Sequence, residues 1–339
     1  MLKIAFTDFW PGFDIYDNFI LDALKGFSNV EVIDVESEAN RTKEVQIVFY
    51  SVFSYEFLEF DCIRIFFSGE NVSPDFNLCD YAIGTDPIEF GDRYHRFPLY
   101  VANYVSDCEK MLSRREDNTS LDIRDKFCAM VVSNGSCNHP YRDELFYKLC
   151  DYKQVDSGGR YLNNINKPEG VDDKEEFLSN YKFSIACENS SHPGYCSEKI
   201  VQAFAAGTIP IYWGDPEIVK YFNEKAFVNC NKFNSLDEVV SYVKELDTDD
   251  KKYLEMLNEK AILDEEQLPE AYRKAFAEWL NHIVSNPESA SRRNPYGRAP
   301  LYEAEVKDIL NRAKLYDYEH QQMSLLELVK NRIKENRAK

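Results

Sequence analysis

Glu198 and Lys199 stand together directly after Ser197, at what reads as the first turn of a helix. A helix's first turn carries free backbone N–H groups and a partial positive charge, so it favours an anion. A lysine there opposes the helix dipole unless an anion joins it. The chain as a whole is acidic, with a formal net charge of −19. A cation, a carboxylate and a positive helix end at one spot in such a chain suit a phosphate with a sugar attached. The bland reading is a surface lysine beside a glutamate that merely supports the dipole.

These residues lie in 181–216, YKFSIACENSSHPGYCSEKIVQAFAAGTIPIYWGDP. Phe183–Cys187 reads as a short buried strand, and Glu188–Tyr195 as a polar loop with Pro193-Gly194 as its turn. Ser197 is placed to cap a helix whose apolar side is Ile200, Val201, Phe204 and Ala205. Gly207 ends that helix, and Ile209–Tyr212 is the next strand. Such a unit puts its loop and the helix start at the carboxyl edge of a parallel sheet, where ligands bind. Glu188 reads as structural, bonding the loop backbone.

The rest of the chain alternates in the same manner. Leu2–Phe6, Val30–Val35, Val45–Tyr50 and Ile63–Phe67 read as strands, and Tyr16–Phe27 as an amphipathic helix. Glu70 falls just past a strand end in a Gly-containing loop. Residues 105–125 are charged and irregular, and read as a linker through Arg114-Arg115-Glu116-Asp117-Asn118. Phe127–Ser133 is a strand, and Arg142–Cys150 and Glu175–Tyr181 are helices. Arg142 sits at a helix start after a strand, so it too faces the carboxyl edge. Ala226–Val228 follows as a strand, then helices over Leu236–Leu246, Leu254–Ala261 and Leu268–Val284. The fold class expected is α/β with GT-B architecture: two Rossmann-like domains facing across a cleft, with a helical C-terminal tail. The expected boundaries are 1–111, 112–285 and 286–339. No G-x-G-x-x-G follows the first strand, which disfavours a Rossmann dehydrogenase.

Several ordered blocks carry a family likeness. Glu188-Asn189-Ser190, Gly194-Tyr195 and Ser197-Glu198-Lys199 resemble the donor-binding signature of the alpha-1,3/1,4-fucosyltransferases. Phe67-Ser68-Gly69-Glu70-Asn71, Ser73-Pro74-Asp75-Phe76-Asn77 and Asp80-Tyr81-Ala82-Ile83-Gly84 are similar to an acceptor-side segment of the bacterial branch. That branch includes the Helicobacter enzymes that make Lewis antigens. The likeness continues through Asp92-Arg93-Tyr94, Pro98-Leu99-Tyr100 and Ser133-Asn134 to Tyr141-Arg142.

The resemblance implies an inverting transfer of fucose from GDP-fucose to the GlcNAc 3-OH of a LacNAc-type glycan, in alpha-1,3 linkage. It assigns Arg142 and Lys199 to the diphosphate, and Asn189, Tyr195 and Glu198 to the donor. Glu198 would meet sugar or ribose hydroxyls, or offset positive charge at the anomeric carbon. Glu70 would be the general base, facing the cleft from the opposite domain and partly desolvated. The rivals are a GT-B transferase for another nucleotide sugar and a non-catalytic glycan-binding protein. The sequence departs from the family pattern at Cys187, where an aromatic residue commonly stands, at Ser197 for a more usual Thr, and at His192-Pro193.

No metal is expected to be essential, because two cations and a helix end already suit the diphosphate; Mn or Mg is left a stimulatory role at most. Asp247-Thr248-Asp249-Asp250 resembles a metal-binding D-x-D, but it precedes a helix and reads as an N-cap. Cys137, His139 and His192 show no ligand pattern. The nine cysteines, an odd and scattered set, read as reduced thiols. The acidic balance argues against nucleic acid as a partner. No apolar run approaches the roughly 20 residues of a membrane span, and a strand-like run follows Met1, so a cytoplasmic location is expected. The basic residues Lys330, Arg332, Lys334, Arg337 and Lys339 offer peripheral contact with the inner face of a bacterial membrane, as tails of bacterial relatives do, but a solvated helix end is the favoured reading.

Overall fold

The computed structural model describes residues 1–113, 123–135 and 139–320. The first half is a parallel six-stranded sheet. Its strands are β1 (Leu2–Thr7), β2 (Val30–Val32), β3 (Ile47–Tyr50), β4 (Ile63–Phe67), β5 (Tyr81–Gly84) and β6 (Tyr94–Arg96), in the order 2-1-3-4-5-6. Helices α1 (Phe19–Leu24), α2 (Leu99–Asn103) and α3 (Val105–Ser113) accompany it. The second sheet holds β7 (Lys126–Met130), β8 (Val155–Ser157), β9 (Tyr181–Cys187), β10 (Ile209–Trp213) and β11 (Val228–Asn229), in the order 11-10-9-7-8. Its helices are α4 (Pro140–Cys150), α5 (Lys174–Leu178), α6 (Glu198–Ala205), α7 (Leu236–Thr248) and α8 (Asp250–Leu257). α9 (Pro269–Val284) and α10 (Arg298–His320) follow.

Every residue of β3, β4 and β9 is buried. Parallel strands covered on both faces read as largely apolar runs; Arg64 in β4 and Lys182 and Ser184 in β9 are the buried polar exceptions. In both sheets the strand order reverses once, between β1 and β3 and between β7 and β9. The loops that leave the carboxyl ends at those points part in opposite directions and open a crevice. The two crevices face each other, and this is the GT-B arrangement.

After the second sheet the chain returns to the first. Phe276 of α9 packs on Phe97 at 4.5 Å and on Phe19 at 5.8 Å. Beyond α9 the segment is tied down by buried charge. Asp80 is fully buried and accepts from Arg293 Nε at 2.9 Å and from the Arg292 N–H at 2.7 Å. The Arg64 guanidinium, also buried, meets Glu303 of α10 at 2.8 Å.

Several boundaries differ from expectation, each for a local reason. Residues 105–113 are not an irregular linker: Cys108 and Met111 are buried one turn apart, and α3 lies along α6. The expected linker charges from Arg114 to Asn118 fall outside the described residues. The helix expected from Tyr16 starts at Phe19, because the Asn18 side chain accepts from the N–H groups of Ile20 and Leu21. The helix expected over 175–181 stops at Leu178, and Tyr181 opens β9. α8 begins at Asp250, since Asp249 accepts from Lys251 N and Lys252 N as an N-cap should. Asp247 is buried in an ion pair with Lys182 at 3.1 Å, so the D-x-D reads as cap and core. The short strands β5, β6 and β8 were not anticipated.

Candidate functional site

A cleft of about 310 Å³ lies between the two carboxyl edges. Glu70, Trp10, Phe53 and Tyr104 line it from the first half. Asn189, Tyr195, Ser197, Glu198 and Lys199 line it from the second. Five of the six residues nominated from sequence are thus brought together; Arg142 does not line this cleft.

α6 carries the second half's charges to the cleft. Ile200, Val201, Ala203, Phe204 and Ala205 bury its apolar face. Its C-terminus is closed by Gly207 N–H to Phe204 O at 2.9 Å and Thr208 N–H to Ala203 O at 3.1 Å, a Schellman motif that uses the left-handed Gly207. Ser197 holds the N-cap position, but its hydroxyl does not cap. It donates to Glu188 Oε2 at 2.6 Å, and its oxygen accepts from Lys199 Nζ rather than from a helix N–H. Lys199 Nζ lies 2.9 Å from Glu188 Oε2, 2.8 Å from Ser197 Oγ and 3.6 Å from Glu198 Oε1.

These contacts set the charges. Burial opposes the charge on Lys199, but Glu188 and Glu198 outweigh it and keep the ammonium well above its ordinary range. Burial would likewise raise Glu198, but Lys199 and Lys174 together hold its carboxyl below the usual value. Lys174, from α5, bonds Gln202 Oε1 at 2.6 Å, and burial lowers its own pKa. Tyr104 is pushed up to about 12 by burial and then by Glu198.

Arg142 occupies the first turn of α4, at the carboxyl edge of β7. It is only 2% exposed, its Nε has no hydrogen-bond partner among the described residues, and burial lowers its pKa. One guanidinium nitrogen reaches Asn134 O at 3.4 Å. A buried guanidinium with an unused donor is costly unless an anion completes it.

Glu70 sits in the loop after β4, and its side chain is exposed rather than partly desolvated as expected. The cleft is open on this side. Its backbone is fixed, since Glu70 N–H donates to Ser68 Oγ at 3.0 Å and Ser68 Oγ returns to Glu70 O. A larger chamber of about 540 Å³ opens at the first sheet's reversal point, walled by Phe9, Trp10, Phe13 and Phe53. Trp10 and Phe53 are shared by the chamber and the cleft.

Three contacts seat the donor-side loop against the first half. Asn71 Nδ2 donates to Ser190 Oγ at 2.9 Å, and His192 Nε2 lies 2.7 Å from Asp86 Oδ1. Gly194 has φ +84°, and a Cβ there would fall 2.2 Å from Thr85 O. Only glycine admits that approach.

Sequence reasoning missed Trp10, Phe53, Tyr104 and Lys174. The aromatic residues carry no signal that separates a cleft wall from a core. The structural reading of Glu188 holds, since its carboxylate accepts from the Ser197 N–H at 2.8 Å. Among the described residues no group of three or more His, Cys, Asp or Glu is disposed to hold a metal; Cys137 lies outside them. The described cysteines are all free thiols. No described helix is long and apolar enough to cross a membrane. The basic tail residues from Lys330 to Lys339 lie outside the described residues.

Comparison with known proteins completes the picture. Residues 4–103 match the family described as alpha-(1,3)-fucosyltransferase FucT N-terminal domain. Residues 121–294 match glycosyltransferase family 10 (fucosyltransferase) C-term. The chain is 37% identical over 229 residues to alpha-(1,3)-fucosyltransferase FucT of Helicobacter pylori, covering 59% of this chain and 47% of that protein. It is 29% identical over 174 residues to human GDP-fucose protein O-fucosyltransferase 3, covering 48% and 36%. The chain thus spans less than half the length of these relatives. A crystal structure of alpha1,3-fucosyltransferase with GDP superposes with a TM-score of 0.71 at 29% identity, over 87% of this chain and 93% of that one. The form with GDP-fucose gives 0.65 at 29% identity, over 82% and 90%.

Proposed function

The chain belongs to glycosyltransferase family 10, the fucosyltransferases, and on that premise we propose that it transfers fucose from GDP-fucose to the GlcNAc 3-OH of a LacNAc-type glycan, in alpha-1,3 linkage with inversion. The observation that carries this reading is the opposition across one cleft of an exposed carboxylate, Glu70, and a clamped ammonium, Lys199.

In this reading the diphosphate lies at the start of α6. Lys199 and the helix's free N–H groups neutralise the charge that grows on the leaving phosphate. Arg142, with its unused Nε, serves the same anion from α4. Asn189 and Tyr195 wall the donor, and Glu198, kept ionised by Lys199 and Lys174, offsets positive charge on the sugar ring. The bond from the anomeric carbon to the phosphate oxygen breaks, and the acceptor oxygen bonds to that carbon from the opposite face. Its proton passes to Glu70. GDP leaves with the electron pair.

No metal is assigned an essential part. The protein is proposed to work in the cytoplasm, with the basic tail available to a membrane surface. The test is a linkage analysis of the product formed from GDP-fucose and a small acceptor panel. An alpha-1,3-fucosylated LacNAc is expected. Absence of both fucosyl transfer and GDP release with every acceptor would favour a non-catalytic glycan binder.

A further inference from the structure

Glu188 is fully buried, yet both of its carboxylate oxygens are engaged. Oε1 accepts from the Ser197 N–H at 2.8 Å, and Oε2 accepts from Ser197 Oγ at 2.6 Å and Lys199 Nζ at 2.9 Å. Its own N–H donates to Trp213 O at 2.8 Å, which locks it to the end of β10. Gly214 makes room for it, since a Cβ there would lie 2.4 Å from Glu188 Cγ. Glu188 is not among the residues that line the cleft. A buried charge held this firmly, one layer behind the ligand surface, acts through the groups it grips.

We propose that Glu188 is a positioning residue for fucosyl transfer: it keeps Lys199 charged and aimed beside Ser197 before the donor arrives. This rests on the reading of Lys199 as a diphosphate cation. The carboxylate and the diphosphate are rival anions for one ammonium. Glu188 holds the ammonium from the sheet side while the cleft side stays available to phosphate. The other groups around Lys199 do not replace it. Glu198, on the same helix, is shared with Lys174. Lys174 of α5 repels Lys199. Tyr195, in the donor loop, and Tyr104, from the first half, have ionisations pushed up by burial and are neutral at ordinary pH. Glu70 is exposed across the cleft.

Losing the Glu188 charge therefore leaves Lys199 a half-buried lysine with a weakened counter-charge, and burial lowers a lysine's pKa. The charged form is then lost as pH rises through the lowered value, and affinity for GDP falls with it. A mere loop staple would weaken binding equally at every pH.

The experiment is calorimetry of GDP binding from pH 6 to 10 for wild type, Glu188→Gln, Glu188→Asp and Lys199→Ala. Guanine ionisation affects all four proteins alike, so ratios to wild type are read. Glu188→Gln is expected to bind GDP within a few-fold of wild type at pH 6 and to lose about fivefold or more by pH 10, the consequence of a lysine pKa lowered by about a unit or more below its ordinary value. Glu188→Asp keeps the charge, and its ratio should stay flat with pH. A flat ratio for Glu188→Gln, or an equal alkaline loss for Glu188→Asp, overturns the proposal. If Lys199→Ala binds GDP normally, the diphosphate reading itself is wrong. If only Lys199→Ala weakens binding and Glu188→Gln does not, the positioning role alone fails. Should Glu188→Gln not fold, the wild-type protein still decides. The Lys199 13Cε resonance in lysine-labelled protein is expected not to titrate up to pH 11. Titration at or below the ordinary lysine value of about 10.4 overturns the role.

Discussion

In the first half, the loops after β1 and β3 set Phe9, Trp10, Phe13 and Phe53 around an open chamber. In the second half, the loops after β7 and β9 lead to Arg142, Glu188 and Lys199, buried or half-buried and hydrogen-bonded. Both pairs of loops leave the same topological point of a parallel sheet. One edge offers ring faces and an exposed acid. The other offers Lys199, already held by the buried Glu188, and Arg142, a buried guanidinium whose Nε is unused among the described residues. An edge of this second kind holds its charges in place before a ligand comes, so little reorganises when charge develops. The first kind tolerates varied apolar and hydroxylated faces. The division suits a variable acceptor on one side and an invariant diphosphate on the other.

The comparison can be broken from either side. The largest effect is expected at Glu70, where Glu70→Gln keeps the shape and removes proton acceptance. Transfer should fall about 10²–10⁴-fold, the usual worth of a general base. The acidic limb of the pH–rate profile should vanish as well. Lys199 and Lys174 hold the Glu198 carboxyl below the usual value, so it stays ionised to lower pH than an ordinary glutamate. A near-normal rate in steady-state assays would move the base elsewhere.

Lys199→Ala comes next. A charge-assisted contact to a developing anion is worth about 2–4 kcal/mol, so transfer should drop on the order of 10²-fold or more. The substitution also leaves Glu188 buried with a partner missing, at a cost of about 3–5 kcal/mol in stability. Thermal melting must accompany the kinetics, and Arg142→Ala, which strands no carboxylate, gives the cleaner rate effect. If Arg142→Ala turns over normally, the second edge has only one working cation.

A smaller effect is expected where the halves touch. In the His192–Asp86 contact the His192 side chain is 41% exposed, and Asp86 beneath it is buried. His192→Ala should therefore cost below about 1 kcal/mol in denaturant unfolding. Gly194→Ala, in contrast, forces a Cβ against Thr85 O and should raise KM for GDP-fucose by displacing the loop that carries Asn189 and Tyr195. If the two substitutions behave alike, the loop is not seated by that close approach. The smallest effect is expected from metal removal. Exhaustive EDTA should leave most activity, and complete loss restored only by Mn or Mg would reopen the role of the acidic residues.

The second edge was the more legible of the two in the sequence. A buried strand, an amphipathic helix and Gly207 announce themselves by apolar period and turn chemistry, and Glu198 and Lys199 follow from the helix start. The structural reading of Glu188 holds, but residue type alone does not reveal who donates to a carboxylate; three donors converge on it only once the helix is in place. The first edge was harder to read. Trp10 and Phe53 look like core residues, and their exposure is set by tertiary packing. α3 was taken for a linker because its charges dominate the composition, while Cys108 and Met111 give only a faint helical period. β5, β6 and β8 are three or four residues long, too short for a period to register.

The central claim is a division of labour: the donor diphosphate belongs to the second edge and proton acceptance to the first. The most direct test is calorimetry of GDP binding to Glu70→Gln and Lys199→Ala, side by side with wild type at neutral pH. Glu70→Gln should bind GDP as wild type does, although it transfers almost no fucose. Lys199→Ala should bind about 100-fold more weakly, equivalent to a loss of roughly 3 kcal/mol. Weak GDP binding by Glu70→Gln, or wild-type binding by Lys199→Ala, would contradict the account.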